Sequence, residues 1–535
     1  MSLVLGPVLR HVGETTAQVW VQTSDPARVR VLDTEVRTFE VAGQHYALVG
    51  VTGLTPGSST PYTVAVDGEQ AWPPPAHPYP ASVIRTRGEA TGGRNRILFG
   101  SCRYPKTNEP GLTSRLGLDA LDVTAAQLAR RPPQEWPDAL LLLGDQIYAD
   151  ELTPSTRRRI AGRRDRHPEW PDDEIVGFDE YVGVYRDAWS DPEVRWLLST
   201  VPVAMIFDDH DVRDDWNTSA VWRAEMREKP WWRDRVRSAL ASYWIYQHLG
   251  NLTPDEVAAD PDARKILEHE GDAWPLLVEL ADRADAEAEG GEAVRFSFRW
   301  DLGHTRLLMM DSRNGRVLND GKHLMIGDAE FAWLEEQASA PGRVDHLLLA
   351  TSVPWLMPHA ISDLETVNEI AAARPGRRGR WGEQLRQAAD LEHWPAFRES
   401  FDRLAALVTR AAGSGPATVS ILSGDVHHCY AARADIPGGA AVHQLTCSPV
   451  HNIMDWYIKP GFRLAWSAPA RGLTRWWAAR AGALPPPVTW RRLAGPLFGN
   501  TIATLEIEDR RARVLFEQPV TSGTLAVRAR LELTP

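Results

Sequence analysis

Six apolar runs, each closing on polar residues, most narrowly limit how this chain folds. They are "RILFGSC", "DALLLLGDQIY", "VPVAMIFDDHD", "TRLLMMDSR", "DHLLLATSVPW" and "ATVSILSGDVHH". Runs apolar on both faces read as buried strands covered by helices, and helical-looking stretches lie between several of them. An α/β or mixed sandwich core is expected from residue 94 onward. Residues 1–90 read differently: short alternating segments such as "TAQVWVQT" and "YTVAVDG", separated by Gly and Pro turns, predict a small β-sandwich.

At 535 residues and 43% hydrophobic content the chain buries a sizeable core, and it exceeds one simple domain. Residues 91–535 form the expected main domain. Insertions rich in Arg, Pro and Trp interrupt it near 150–200, 214–300, 356–417 and 450–498, and such segments frame pockets in α/β enzymes. The closing segment "NTIATLEIEDRRARVLFEQP" predicts a hairpin turning at "EDRRA" that adds edge strands. The run "STRRRIAGRRDR" reads as a solvated helix face, with a phosphate clamp as the alternative. "RWWAARAGALPPPVTWRRL" reads as a Pro-broken lid, with an interfacial segment touching lipid as the alternative.

With 59 basic against 71 acidic residues the net charge is -12, which argues against nucleic-acid binding beyond nucleotide substrates. Cys102, Cys429 and Cys447 are odd in number and far apart, so no disulfide framework is implied. The start "MSLVLGPVLRHVGE" carries neither a signal peptide nor a transmembrane pattern. A cytoplasmic protein is expected, or a secreted one if a leader was removed.

Polar chemistry gathers where ligand sites of open α/β sheets gather, at the carboxyl ends of the runs. The residues are Cys102; Asp145 and Tyr148; Asp208, Asp209, His210 and Asp211; Asp311; and Asp425, His427 and His428. Acid, imidazole, thiolate and phenolate together make a metal-ligand set, because bare buried carboxylates repel one another and take up protons. Asp425 and His427, two apart on an extended segment, turn toward one side and leave His428 facing the other. Cys429 reads as a packing position.

The blocks "GSCRYP", "GDQIYAD", "FDDHDVRDDW", "MDSRNGR" and "SGDVHH" resemble, in order, those of PhoD-like metallophosphatases, the alkaline phosphatase D branch of the calcineurin-like phosphoesterases. The resemblance spans nearly the whole chain. It implies an α/β (α+β) fold with a metallophosphoesterase-type β-sandwich core flanked by helices, preceded by a fibronectin/Ig-like domain. There "GLTPGSSTPYTVAV" resembles a tyrosine corner in which the Tyr62 hydroxyl bonds backbone upstream and Leu54 faces the core.

The same resemblance implies roles. Asp145 is the carboxylate bridging two metals, Asp209 and His210 take the place of an Asn-His pair, and Asp425 with His427 that of a terminal His-x-His. Tyr148 and Cys102 join Asp145 and His427 on ferric iron. An oxygen-rich second site holds a hard cation, Ca2+ first and Mg2+ or Mn2+ otherwise. His210 is the general acid or electrostatic stabiliser, with Asp211 fixing its tautomer, and Arg103 and Arg313 hold phosphate oxygens or form structural ion pairs.

Departures from the pattern are expected to matter. Asp214 and Asp215 replace an Asn pair, and Asp215 is taken as a ligand. Gln146 replaces an aromatic, and Ser352 stands near a usual His position. Asp311 is a ligand to a further cation or supports one. The expected activity is metal-dependent hydrolysis of a small-molecule phosphomonoester or phosphodiester. The alternatives are a hydrolase specialised for lipid or sugar phosphates, and a metal-binding scaffold without turnover.

Overall fold

A computed structural model describes residues 2–88, 93–163, 165, 167–319 and 321–534. The expected domain boundary at residue 90 lies outside the described residues. All six apolar runs contain strands, and they divide between two sheets. One has six strands in the order Val203–Ile206, Ala139–Leu143, Arg94–Gly100, Ile502–Glu508, Arg511–Thr521 and Thr524–Glu532. The other has seven: Phe298–Leu302, Thr305–Met310, His346–Thr351, Thr418–Ser423, Ala441–Thr446, Cys429–Ala434 and Trp490–Leu497.

The period of two along each strand explains why both faces are apolar. Leu348 and Ala350 join the core shared with Phe99 and Leu141, paired neighbours on one face of the six-stranded sheet. Their neighbours Leu347 and Leu349 face outward, onto Phe331, Leu404 and Val408 of the helices Asp328–Ser339 and Arg398–Gly413. The two sheets therefore pack face to face with helices outside. The first three insertions are largely helical, whereas 450–498 carries two helices and ends in Trp490–Leu497, a strand of the seven-stranded sheet.

The closing hairpin forms, but Ile502–Glu508 is not an edge strand. It pairs with Arg94–Gly100 in the register Ile97↔Leu505 and lies inside the sheet, leaving Thr524–Glu532 outermost. Its side chains Ile502 to Leu505 are all buried, which an edge position would not allow.

The amino-terminal region is all β, with two four-stranded sheets closing on Val19, Val21, Val29, Val49 and Trp72. Every residue of the strand Ala17–Thr23 is buried. The alternate side chain Trp20, with Tyr46, packs on Trp189 and Tyr246, which lie beyond this region. The Tyr62 hydroxyl donates to the Ser199 carbonyl at 2.5 Å, so it reaches the main domain instead of bonding upstream. Among the described residues no helix is long and apolar enough to cross a membrane.

Candidate metal and catalytic site

In the six-stranded sheet the parallel strands end level, with Gly100 opposite Leu142 and Leu143 opposite Ile206. The turns that follow carry Cys102, Asp145 and the short 3-10 turn Asp209–Asp211. Two glycines allow close approach there, Gly144 between neighbouring strand ends of one sheet and Gly424 between the two sheets. A Cβ on Gly144 would lie 2.7 Å from Asp208 Cβ, and one on Gly424 would lie 2.0 Å from Ser101 Oγ and 3.0 Å from the Leu143 carbonyl. The neighbouring candidates absorb the strain: Cys102, Asp145, Asp215, Asp425 and His427 have φ of 56°, 48°, 65°, 69° and 49°. Left-handed backbone at so many non-glycine residues is uncommon and marks functional sites. Asp425 and His427 therefore do not sit on an extended segment, as the sequence suggested, although both still reach the pocket.

Carboxylate oxygens of Asp145, Asp208 and Asp209 lie within 4.8 Å of one another, and all three residues are buried. Among the described residues, Asp145 Oδ1, Asp208 Oδ2 and Asp209 Oδ1 have no hydrogen-bond partner. Burial, reinforced by Asp208 and Asp209 against the pull of His210, pushes Asp145 well above the usual carboxylate range. Burial, with Asp145 and Asp425, likewise raises the Cys102 thiol, and burial with Asp145 and Cys102 raises the Tyr148 phenol. Such a crowd of donors, each destabilised as an anion, fits a cation centre, because a bound cation reverses these shifts. Burial holds His427 down to about 4, leaving a neutral imidazole able to ligate.

The tautomer partner of His210 is Asp150, whose Oδ1 lies 2.9 Å from Nδ1. Asp211 was expected there, but its carboxylate faces the other way, accepting from the Asp208 and Ile147 amides and from Gln247 Nε2 at 2.9, 3.3 and 3.2 Å. Burial lowers the His210 pKa, but Asp150 and Asp209 outweigh it and hold the ring well above its ordinary value. Asp425 Oδ2 is fixed by His393 Nε2 at 2.9 Å, and His393 Nδ1 by Glu365 at 2.7 Å. Burial favours the neutral acid of Asp425, yet His393 and Arg313 win and keep it ionised.

Neither arginine faces the cavity. Arg103 is buried in an ion pair with Asp119 at 2.8 Å. Arg313 is buried among carboxylates: it pairs with Asp208 and Glu392, and lies 3.2 Å from Asp209 and 3.7 Å from Asp425. Its charge offsets their repulsion, so it organises the acidic cluster and holds no phosphate. Asp311 caps a turn by accepting the Arg313 and Asn314 amides at 2.9 Å, and it does not line the cavity. Asp214, not Asp215, lines it; an Asp214 oxygen lies within 4.8 Å of ligand atoms of Asp209 and His210. Asp215 keeps a partnerless Oδ1 and is raised to about 9 by burial and then Glu392 and Asp214.

Ser352 donates to Asp208 at 2.9 Å, and Asn452 to the Tyr148 oxygen at 2.7 Å. Cys102 Sγ rests between Ser101 and Ser448, each 3.2 Å away. His428 turns its Nδ1 to the Val426 carbonyl and stacks on Tyr430. All three cysteines are free and buried, Cys429 packing against Cys447.

A cavity of about 820 Å3 opens over this edge. Asp145, Asp209, His210, Asp214, Asp425 and His427 form one wall, and Leu112, Ile361, Leu364 and Phe462 belong to another. Arg157 and Arg115 also reach the lining. Sequence reasoning missed Asp150, His393 and Glu365, and it read the run holding Arg157 as a solvated helix face. Asp150 closes the same "GDQIYAD" block as Asp145 and was open to notice, whereas the others sit in insertions away from any strand end.

No curated protein matches the chain. A solved structure of PhoD superposes with a TM-score of 0.60 at 10% identity, covering 100% of this chain and 91% of its own. The amylomaltase of Corynebacterium glutamicum, 12% identical and covering 90% of this chain and 61% of its own, superposes with a TM-score of only 0.11. Residues 1–84 match a domain of unknown function, DUF7800. Residues 124–460, spanning all the acidic wall, match the family model of the PhoD-like phosphatase, and the chain belongs to that family of phosphoric-ester hydrolases.

Proposed function

We propose that this protein hydrolyses phosphoric esters at a cation centre formed on Asp145, Asp208 and Asp209. One observation carries the reading: carboxylates wall the cavity, and among them the buried Asp145 has an oxygen without a hydrogen-bond partner. Such a wall repels phosphate unless cations neutralise it. Cys102, Tyr148 and His427, on the Asp145 side, suit ferric iron, and the oxygen donors Asp208, Asp209, Asp214 and Asp425 suit a hard ion such as Ca2+, Mg2+ or Mn2+. When bound, such ions acidify water and draw charge from the phosphoryl oxygens.

The chain's own residues supply the rest. His210, oriented through Nδ1 by Asp150, keeps its proton at Nε2 for the leaving oxygen. Arg157 and Arg115 attract the anion. The apolar wall of Leu112, Ile361, Leu364 and Phe462 supports esters whose alcohol carries an apolar group. A panel of phosphomonoesters and phosphodiesters, run with chelator and with added Ca2+ or Mn2+, tests this. Hydrolysis that chelator removes and metal restores is expected, and no turnover of any ester by metal-loaded protein would leave only a scaffold role.

A further inference from the structure

The helix Ala468–Ala481 shows its apolar face to solvent. Leu473, Trp476, Trp477 and Arg480 recur at the i, i+3, i+4, i+7 spacing of one face, which a core helix would bury. Here Leu473 is 66% exposed, Trp476 58% and Trp477 49%. The helix is held from its other side. Ala478 is buried, and Thr474 and Arg475 bond Asp363 of the helix His359–Ala372 at 3.1 and 2.8 Å. Just upstream Trp456, Tyr457 and Leu464 are 78%, 63% and 62% exposed.

Apolar patches of this kind mark partners, and charge selects which. The chain carries a net -12, yet residues 456–505 contain no Asp or Glu and seven basic side chains: Lys459, Arg463, Arg471, Arg475, Arg480, Arg491 and Arg492. A second copy docked through the same patch would set these cations against themselves. Exposed Trp and Tyr interleaved with Arg and Lys match the headgroup layer of an anionic bilayer, where amphipathic rings and long basic side chains both find their medium. We infer that the face formed by Trp456, Tyr457, Leu464, Leu473, Trp476 and Trp477 docks on an anionic lipid surface. Ile458 and Phe462 of the same segment line the cavity, so docking sets its mouth beside the bilayer.

The test is flotation of the full chain with phosphatidylglycerol-containing vesicles and with phosphatidylcholine vesicles alone, at low and high salt. The protein should float with the anionic vesicles, less so in high salt, with a blue shift of tryptophan emission. The double variant Trp476→Ser, Trp477→Ser should bind roughly tenfold less while unfolding at the same temperature. Three results would overturn the inference: no flotation with anionic vesicles, equal flotation of the double variant, or a patch that the variant shows to mediate self-association or single-stranded DNA binding without vesicle binding.

Discussion

Asp150 Oδ1 sits 2.9 Å from His210 Nδ1, and the same carboxylate accepts the Asp214 amide through Oδ2. One side chain thus orients the imidazole and pins the loop that brings Asp214 to the cavity. The pairing also holds the His210 proton to a pH well above the ordinary value for histidine.

If His210 donates that proton, His210→Gln should lower kcat by about 10²- to 10⁴-fold. Asp150→Asn keeps the ring but removes the charge that raises its pKa. Its alkaline limb should therefore move to lower pH. A pH–rate profile of each variant checks this, and an unmoved limb in Asp150→Asn would count against His210 as the acid.

Asp145→Asn should abolish turnover. In chelator-stripped protein the same change should leave the unfolding midpoint unchanged or higher, because it removes one of three mutually repelling buried carboxylates. Calorimetry of stripped wild type and variant is the measurement. A large loss of stability without metal would reject the cation-site reading of the cluster.

The purified protein should contain iron and show a phenolate-to-iron absorption band in the visible. Tyr148→Phe should remove the band. Elemental analysis without iron, or a band that survives the substitution, would rule out the assignment of Cys102, Tyr148 and His427 to iron.

His248 and His443 are buried away from the acidic cluster, and burial lowers them to about 3 and about 4, below the ordinary value near 6.5. The unfolded chain then binds protons that the folded one refuses, so stability falls as pH drops below about 6.5, by roughly 1.4 kcal/mol per unit per histidine. His248→Gln should lose less than wild type over that window. Denaturation midpoints at pH 7.5, 5.5 and 4.5 should show the gap shifting steadily in the variant's favour.

The strand ends were legible because a run apolar on both faces has to be buried, and its first polar residue has to emerge at an edge. Asp145, His210, Asp425 and His427 were found that way. The local conformation was not: nothing in "SGDVHH" reveals that Gly424 meets Ser101 so closely that Asp425 and His427 take left-handed backbone. For Arg313 the choice between phosphate contact and structural ion pair stayed open, because adjacency to a motif says nothing of where a long side chain ends; its guanidinium ends among four carboxylates. His393 and Glu365 come from insertions, which no strand register places. The segment "RWWAARAGALPPPVTWRRL" left lid and interfacial readings open, because the side of the helix Ala468–Ala481 that the body covers is set by Asp363, more than a hundred residues upstream.

The buried strand Ala17–Thr23 has a consequence for how this protein can be divided. Arg10, from the neighbouring strand, donates to the Gln247 carbonyl and, at 2.9 Å, to Asn251 Oδ1, and Gln247 Nε2 reaches Asp211 at 3.2 Å. Gln247 lies in a π-helical turn, Trp244–His248, stacked through Tyr246 on Tyr185 and roofed by Trp20. The amino-terminal sandwich is thus a keystone: cut away at its apparent border, it would leave an arch of aromatics open to water directly behind the loop that carries His210.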